Sequence, residues 1–234
     1  MVFKISFTNN RELIMKIVFI TDIHGDWDKL ESISPRLINY DLVVLGGDIT
    51  TFGTARDADF VVKTILKYNQ NIIAIPGNCD GAFVQKLLVE KGMDFNFKKI
   101  ERFGTLFYGI GGSLITPSAT PYEYSEEYLN EQLNDKSYAE LSVLSNLILV
   151  SHQPPLFTLN DKLSTGVHVG SKSIRNLITK TKPFICLTGH IHEGIGIDKI
   201  ENTPIVNPGA LCDGKYGEIY LYDNEISEIK FRTL

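Results

Sequence analysis

Residues that can bind metal ions recur in five short segments of this sequence. The segments are Asp22-Ile23-His24, Gly46-Gly47-Asp48, Gly77-Asn78-Cys79-Asp80, Ser151-His152 and Gly189-His190-Ile191-His192. Carboxylate, amide and imidazole groups are common ligands of divalent cations in proteins. Together the segments contain four of the five histidines, so the sequence predicts a metal site.

An apolar run directly precedes several of these segments. The letters LILV come before Ser151-His152, and FICLT comes before Gly189-His190. Such runs are typical of buried strands, and open α/β sheets bind their ligands at the carboxyl ends of the strands. We therefore expect each donor group to lie at the carboxyl end of a buried strand, where the donors can converge.

In this order, the five segments resemble the signature of the calcineurin-like metallophosphoesterase superfamily, which reads D-x-H, G-D, G-N-[HC]-[DE], H and G-H-x-H. A lone D-x-H or G-H-x-H could be a turn with a hydrogen-bonded histidine, whereas five segments in the right order are specific. The resemblance extends from about residue 16 to about residue 208. With Cys79 where many members have histidine, the chain is similar to a small prokaryotic phosphodiesterase and phosphohydrolase branch.

The resemblance implies a centre with two divalent metal ions. Its motifs assign Asp22, His24 and His192 to one metal, Asn78, His152 and His190 to the other, and Asp48 to both. Any one of these histidines could instead be structural, but the coincidence of all five segments favours the metal site. The resemblance favours manganese, and the donor set also suits iron, zinc or nickel.

The activity implied by the resemblance is hydrolysis of phosphoric esters by a hydroxide that bridges the metals. Phosphodiesters are favoured as substrates, and a phosphomonoesterase or nucleotide phosphatase is the alternative. An inactive scaffold of the same fold is the alternative from a different functional class. The complete set of metal donors argues against the scaffold.

The catalytic residues predicted are Asp48, Asn78, Cys79 and Asp80. A histidine at position 79 could protonate the leaving group, but a thiol with an ordinary pKa of about 8.5 is a poorer acid at neutral pH. Cys79 therefore favours substrates whose leaving group needs little protonation. Asp80 could orient a metal ligand, or it could cap the helix that follows.

His168 and Ser171 are candidates for binding the substrate phosphate. Ser171 precedes a helical pattern as an N-cap residue would, and helix N-termini bind anions. His168 lies just before it and could equally be an ordinary loop residue. We expect the loops at residues 116–128 and 156–169 to form the walls that select the substrate.

Alternating apolar strands and amphipathic helices predict an α/β fold with parallel strands. Strands are predicted at residues 16–20, 41–45, 71–75, 147–150, 184–187 and 204–206, and helices at about 26–38, 55–68 and 82–91. Pro35 could end or kink the first helix. Residues 97–110 have the pattern of adjacent strands, 122–141 of one or two surface helices, and 218–222 with 226–231 of a terminal hairpin. Together with the resemblance, this predicts a four-layer α/β/β/α sandwich of two mixed β-sheets flanked by helices.

The composition sets further limits on the class of protein. With 234 residues and 43% hydrophobic content, we expect a single domain at 16–234, preceded by an extension or an extra strand at 1–15. A net charge of -5 without a long basic run argues against extended binding of nucleic acid. It is compatible with the small phosphorylated substrate that the resemblance implies. No apolar run approaches the roughly 20 residues of a membrane span.

The three cysteines are odd in number, and the first residues lack the pattern of a signal peptide. Both features favour a reducing, cytoplasmic location. A homodimer is expected only because symmetric dimers are the commonest oligomers.

Overall fold

Two mixed β-sheets lie face to face, and helices cover the outer face of each sheet. A computed structural model describes residues 14–133, 135–142, 146–223 and 225–234. The strands are β1 (Ile14–Ile20), β2 (Leu42–Leu45), β3 (Ile72–Ala74), β4 (Lys99–Arg102), β5 (Thr105–Ile110), β6 (Ser113–Leu114), β7 (Glu123–Tyr124), β8 (Leu147–Ser151), β9 (Ile185–Thr188), β10 (Gly196–Ile200), β11 (Thr203–Asn207), β12 (Lys215–Tyr222) and β13 (Glu225–Thr233). The helices are α1 (Trp27–Ile33), α2 (Ala55–Leu66), α3 (Ala82–Glu90), α4 (Glu126–Gln132), α5 (Asp135–Ser142) and α6 (Lys172–Thr181), with short 3-10 helices at Ser34–Asn39, Leu159–Asp161 and Leu211–Asp213. The predicted four-layer α/β/β/α sandwich is confirmed.

The first sheet has the strand order β13-β12-β1-β2-β3. Strands β1, β2 and β3 are parallel, whereas β12 is antiparallel to both of its neighbours. Helices α1 and α2 connect the parallel strands, because a parallel neighbour requires the chain to cross back to the starting edge. The carboxyl ends of β1, β2 and β3 therefore lie at the same edge.

The second sheet has the strand order β10-β11-β9-β8-β5-β4. Its central strands β11, β9, β8 and β5 are parallel, and the edge strands β10 and β4 are antiparallel to their neighbours. Strands β6 and β7 form a separate two-stranded sheet.

The main core lies between the two large sheets. Phe19 and Val44 enter it from the first sheet, and Phe107 and Val150 enter it from the second. Adjacent residues such as Val18 point the other way, into the core beneath the helices. Because both faces of these strands are buried, their sequences are continuously apolar, which made them predictable.

The first helix shows the effect of Pro35. The Asp26 side chain caps α1 by accepting a hydrogen bond from the N–H of Lys29 at 3.0 Å. The α-helix then ends at Ile33 and continues as a 3-10 helix with Pro35 in its first turn. Proline has no N–H to donate to the preceding turn, so the regular α-helical hydrogen bonds cannot continue past it.

Most other predicted elements are confirmed, with small shifts in their bounds. Residues 122–141 contain two helices, α4 and α5, and the terminal hairpin is formed by β12 and β13. Strand β10 was not predicted, because it is a partly exposed edge strand with Asp198 and Lys199 in its centre. The two-residue strands β6 and β7 were not predicted either.

Strand β1 begins at Ile14, so Met15 is part of the first sheet and pairs with Leu221. The rest of the predicted N-terminal extension, residues 1–13, lies outside the described residues. Cys79, Cys186 and Cys212 are all free thiols. In the described ranges, no helix has the length and apolar character needed to cross a membrane.

Candidate metal centre

All seven predicted metal ligands follow the carboxyl ends of parallel strands. They are Asp22 and His24 after β1, Asp48 after β2, Asn78 after β3, His152 after β8, and His190 and His192 after β9. Strands β1 to β3 belong to the first sheet, and β8 and β9 belong to the second. The ligands thus meet where the edges of the two sheets come together, as the sequence predicted.

The donor atoms of the predicted ligands form two clusters, and a third group joins His24 and Asp48 to Cys79. Within each cluster, all ligand atoms lie within 4.8 Å of one another. One cluster contains Asp22, His24 and His192, and the other contains Asp48, His152 and His190. In the first cluster the Nε2 atoms of His24 and His192 face each other at 3.3 Å. Each cluster could therefore hold a metal ion.

Asp48 and Asn78 complete the arrangement. Asp48 Oδ2 lies 3.6 Å from His24 Nε2 and 3.4 Å from His152 Nε2, so it stands between the two clusters. Asn78 Oδ1 lies 2.9 Å from His152 Nε2 and belongs with the second cluster. The structure therefore brings the predicted ligands together in the predicted groups.

The histidine rings are oriented by bonds to their Nδ1 atoms. His152 Nδ1 lies 2.9 Å from the carbonyl oxygen of Gly46, which can only accept, so Nδ1 carries the proton. In the neutral ring Nε2 is then left with a lone pair that points at Asp48 and Asn78. His24 Nδ1 lies 3.0 Å from Thr51 Oγ1, and its Nε2 also faces the cluster.

A chain of hydrogen bonds orients Asn78. Its Nδ2 donates to Thr120 Oγ1 at 3.0 Å, and the Thr120 hydroxyl donates in turn to Glu123 Oε1 at 2.5 Å. The Thr120 N–H and the Thr116 hydroxyl also donate to this carboxylate oxygen, at 2.8 and 2.6 Å. Since Nδ2 is engaged by Thr120, the Oδ1 atom of Asn78 faces the metal site.

Two carboxylates are buried at the site without a lysine or arginine partner among the described residues. Asp22 and Asp48 are 1% and 2% exposed. Within the described residues, no lysine or arginine forms an ion pair with either of them, and their only ionic neighbours are histidines. Burying two negative charges without cations is costly, and a divalent cation in each cluster would remove that cost.

The pKa values of Asp22, His152 and His190 reflect burial and the charges that these side chains place on one another. Burial raises the pKa of Asp22, but its hydrogen bond with His192 and the charge of His152 outweigh burial and bring the pKa below its ordinary value. Burial lowers the pKa of His152, but the Asp48 carboxylate raises it to about 9. Burial and the charge of His152 lower the pKa of His190 to about 4. A metal would replace the proton on His152, because metal ligands bind in their deprotonated form.

Cys79 lies against the same carboxylate. Its N–H donates to Asp48 Oδ1 at 2.7 Å, and its sulfur is close to both Asp48 and His24. Burial, and then the charge of Asp48, raise the pKa of the thiol well above its ordinary value. Cys79 is thus a neutral thiol in this environment, and its role in catalysis stays a prediction.

Asp80 joins two of the ligand-bearing loops. Its oxygens accept the N–H groups of Ile49 and Thr50 after β2 and of Gly77 after β3, at 2.9 to 3.0 Å, together with the Thr50 hydroxyl. Burial, with the charge of Asp48, raises its pKa to about 6. The N-cap of α3 is Gly81, so the helix-capping alternative for Asp80 is wrong.

The two predicted substrate residues lie in different surroundings. Ser171 is buried and caps α6, and the Glu126 carboxylate accepts from its hydroxyl and from the N–H of Ser173 at 3.0 and 2.6 Å. Glu126 therefore fills the position at which the helix N-terminus would bind a phosphate. His168 is part-exposed and bonded to Asp161. Phosphate binding by either residue stays a prediction.

Several functional contacts have no signal in the sequence. Thr51 and Thr120 orient candidate metal ligands from loops that carry no recognisable motif, and Glu123 in β7 holds Thr120 in place. Asn207 donates to the carbonyl of Ile191 at 2.9 Å and so supports the loop that carries His190 and His192. Only the Asn207-Pro208-Gly209 turn could have suggested its role.

The chain is similar to known proteins along most of its length. The calcineurin-like phosphoesterase family matches residues 15–194. An uncharacterised protein of Methanocaldococcus jannaschii is 41% identical over 201 residues, which are 83% of this chain and 88% of that protein.

Two solved structures show the same fold at low sequence identity. The structure of TT1561 from Thermus thermophilus has a TM-score of 0.72 at 18% identity and covers 94% of this chain and 99% of its own. A dimetal phosphatase from Danio rerio has a TM-score of 0.61 at 11% identity and covers 94% of this chain and 98% of its own.

Proposed function

Because this chain belongs to the calcineurin-like phosphoesterase family, we propose that it hydrolyses phosphodiesters with two divalent cations. Membership of this family supports the part of the proposal that concerns metal-dependent hydrolysis of phosphoric esters. The geometry of the two clusters supports the number of cations, and the charge of the site supports the preference for diesters.

The observation that carries the proposal is the position of Asp48. One carboxylate oxygen faces His24 at 3.6 Å and His152 at 3.4 Å. Two cations held close together repel each other, and a shared anionic ligand offsets that repulsion. Asp48 would be this shared ligand, with Asp22, His24 and His192 on one cation and Asn78, His152 and His190 on the other.

When bound, the two cations would lower the pKa of a shared water and polarise the phosphoryl oxygens. The protein itself holds the ligands in place, because Thr120 orients Asn78 and Gly46 orients His152. Carboxylate, amide and imidazole donors suit manganese, iron, zinc and nickel, and manganese is the first choice because of the family resemblance.

The charge of the site supports diesters over monoesters. A phosphodiester carries one negative charge at neutral pH, whereas a monoester carries up to two. Among the described residues, no lysine or arginine pairs with Asp22 or Asp48, and their ionic partners are histidines, which would lose their protons on binding a metal. The metals would therefore be the main source of positive charge. The substrate with less negative charge to neutralise therefore fits better.

A metal-supplemented assay tests the proposal. The purified protein, supplied with manganese, iron, zinc or nickel, should hydrolyse bis(p-nitrophenyl) phosphate with a higher kcat/KM than p-nitrophenyl phosphate. Asp48→Asn keeps the shape of the side chain and removes its charge. It should lose about 10²-fold or more in activity, since even outer partners of metal ligands are worth about 10–100-fold.

The matched control is Asp28→Asn, which changes an exposed aspartate on α1 and should leave activity unchanged. A higher kcat/KM for the monoester would support a phosphomonoesterase or nucleotide phosphatase instead. No hydrolysis of either ester with any of the metals would support the inactive scaffold.

A further inference from the structure

A buried aspartate and a part-exposed histidine form a pair outside the metal clusters. His168 Nδ1 lies 2.7 Å from Asp161 Oδ1, and Asp161 has no exposed surface. The carboxylate also accepts the N–H groups of Phe157, Thr158 and Gly170 at 3.1, 2.8 and 3.0 Å. No lysine or arginine of the described chain pairs with it, so His168 is its only partner that can carry a positive charge.

This environment fixes the orientation of the His168 ring. Nδ1 donates to Asp161, and it carries a proton whether or not the ring is charged. The ring packs edge-on against Phe157, with centroids 5.4 Å apart and planes at 73°. The side chain is 29% exposed, and Nε2 has no hydrogen-bond partner among the described residues. Nε2 is therefore the atom that His168 can offer to a substrate.

The loop that carries this pair is bonded to the segment of one metal ligand. Gln153 directly follows His152, and its Nε2 donates to the carbonyl of Val169 at 2.9 Å. Val169 directly follows His168. One hydrogen bond thus joins the residue that follows the candidate metal ligand His152 to the residue that follows His168.

A second connection reaches the segment of another metal ligand. Asn160, next to Asp161, donates through Nδ2 to the carbonyls of Gly194 and Gly196 at 2.8 and 3.0 Å. These glycines lie two and four residues after His192. The loop that carries the aspartate and histidine pair is therefore bonded to the segments that follow His152 and His192, and it is one of the loops expected to form a substrate wall.

We propose that His168 donates a proton to the leaving-group oxygen during phosphodiester hydrolysis, an inference that rests on the proposed function. A hydroxide derived from water forms the new bond to phosphorus, and the bond from phosphorus to the leaving oxygen breaks. The proton on Nε2 moves to that oxygen as the bond breaks, so that an alcohol leaves instead of an alkoxide. The neutral imidazole then regains a proton from water.

His168 is better suited to this step than Cys79. Cys79 occupies the family position of a proton donor, but its side chain is buried between Asn78 and Asp48. Imidazole is the side chain that most often transfers protons in enzymes, and such transfer contributes about 10²–10⁴-fold to a rate.

The His168→Asn variant separates the two ring nitrogens. The asparagine amide can still donate to Asp161 in place of Nδ1, but the group that Nε2 presents to the substrate is lost. We compare bis(p-nitrophenyl) phosphate, whose leaving group needs little protonation, with diphenyl phosphate, which has the same shape and a poorer leaving group. The expected loss in kcat/KM is less than about 5-fold for the first ester and about 10²-fold for the second.

Asn176→Ala, which changes an exposed residue of α6 eight positions further along the chain, is the control for a surface change outside the expected substrate walls and should lose little with either ester. Elemental analysis should find the same metal content in His168→Asn as in the wild-type protein. Equal losses with both esters, no loss with either, or a reduced metal content would overturn the proposal. If the wild-type protein hydrolysed neither ester, the proposed function would fail, and the role of His168 with it.

Discussion

Four of the predicted ligands have a backbone conformation that is rare outside glycine. Asp22, His24, Asp48 and His190 have φ angles of 54°, 51°, 48° and 64°. This left-handed conformation costs roughly 1–3 kcal/mol for a residue with a side chain, and it persists only where the surroundings enforce it. The hydrogen bonds around each ligand supply that enforcement, so the site is held in shape by the protein itself.

Gly77 shows how little space the arrangement leaves. A Cβ atom at this position would collide with the backbone N–H and the carboxylate of Asp48. Gly77→Ala should therefore displace the proposed shared ligand, destabilise the protein by about 1–3 kcal/mol as overpacking does, and lower the metal content. Urea denaturation and elemental analysis measure the two effects.

Gly81→Ala is the matched control for Gly77→Ala, because a Cβ atom at position 81 would meet no atom within 4 Å. Gly81 is the N-cap residue of α3, where alanine is less favourable than glycine by up to about 1 kcal/mol, so this variant should lose less stability than Gly77→Ala and keep the metal content of the wild-type protein. Equal effects of the two substitutions would show that glycine itself, and not the space beside Asp48, is what matters at position 77.

The segment between β6 and β7 acts as an element that supports the second metal cluster. It contributes Thr120, whose hydroxyl lies between Asn78 and Glu123. Thr120→Val removes the hydroxyl at nearly constant volume, so the Asn78 amide should lose its fixed orientation. Metal affinity should fall by about 10–100-fold, the usual effect of removing a partner of a metal ligand, as measured by calorimetric titration of the metal-free protein with manganese.

Thr116→Val provides the comparison for Thr120→Val. The Thr116 hydroxyl bonds to the same oxygen of Glu123 but does not contact Asn78. Its loss should change manganese affinity by less than about threefold. A similar drop in both variants would mean that the segment acts through its overall folding and not through Asn78.

The same segment should give the protein an acid-sensitive contribution to stability. Burial raises the pKa of Glu123, but the hydrogen bonds from Thr116 and Thr120 outweigh burial and lower the pKa to about 2 from an ordinary 4.5. Because the pKa of Glu123 is lower in the folded protein than in the unfolded chain, the unfolded chain binds the proton more tightly. The stabilisation is therefore complete above about pH 5 and is lost as the pH falls towards 2.

Glu123→Gln tests this dependence on pH. The difference in unfolding free energy between the wild-type protein and the variant, measured by urea denaturation without metal, should be largest near pH 6. It should shrink between pH 5 and about pH 2. A difference that stays constant over this range would show that the Glu123 hydrogen bonds do not depend on its charge.

Considered as a whole, the molecule shows why some features could be predicted from the sequence. The convergence of the candidate metal ligands could be predicted because each lies within four residues of the end of a buried strand, and the ends of parallel strands meet at the edge of a sheet. The relation of Thr120 to Asn78 spans 42 residues and depends on how a loop folds over the sheet. No local pattern encodes such a contact.

The contacts of the predicted substrate residues could not be predicted from the sequence either. Ser171 was correctly identified as a helix N-cap, but the Glu126 carboxylate that fills the helix end comes from a helix 45 residues earlier. The His168 ring is oriented by Asp161, which lies only seven residues away and has no motif around it. The sequence identifies donor groups, and the fold decides what each of them contacts.

The two sheets share both metal clusters, so metal binding should stabilise the whole molecule. Asp22 and His24 from the first sheet meet His192 from the second, and Asp48 from the first sheet meets His152 and His190 from the second. A ligand that binds only the folded state at 100 times its Kd stabilises that state by about 2.7 kcal/mol. For a chain of this size, each kcal/mol raises Tm by about 2–4 °C.

Manganese at that excess should therefore raise the Tm of the metal-free protein by about 5–10 °C per occupied cluster. Thermal denaturation followed by circular dichroism measures the shift, and EDTA should reverse it. His192→Ala, which removes one second-sheet ligand, should show a smaller shift, whereas Gly81→Ala should keep the full one. If elemental analysis found two bound ions and Tm did not change, the ions could not be bridging the sheets, because a cross-link specific to the folded state must raise the free energy of unfolding.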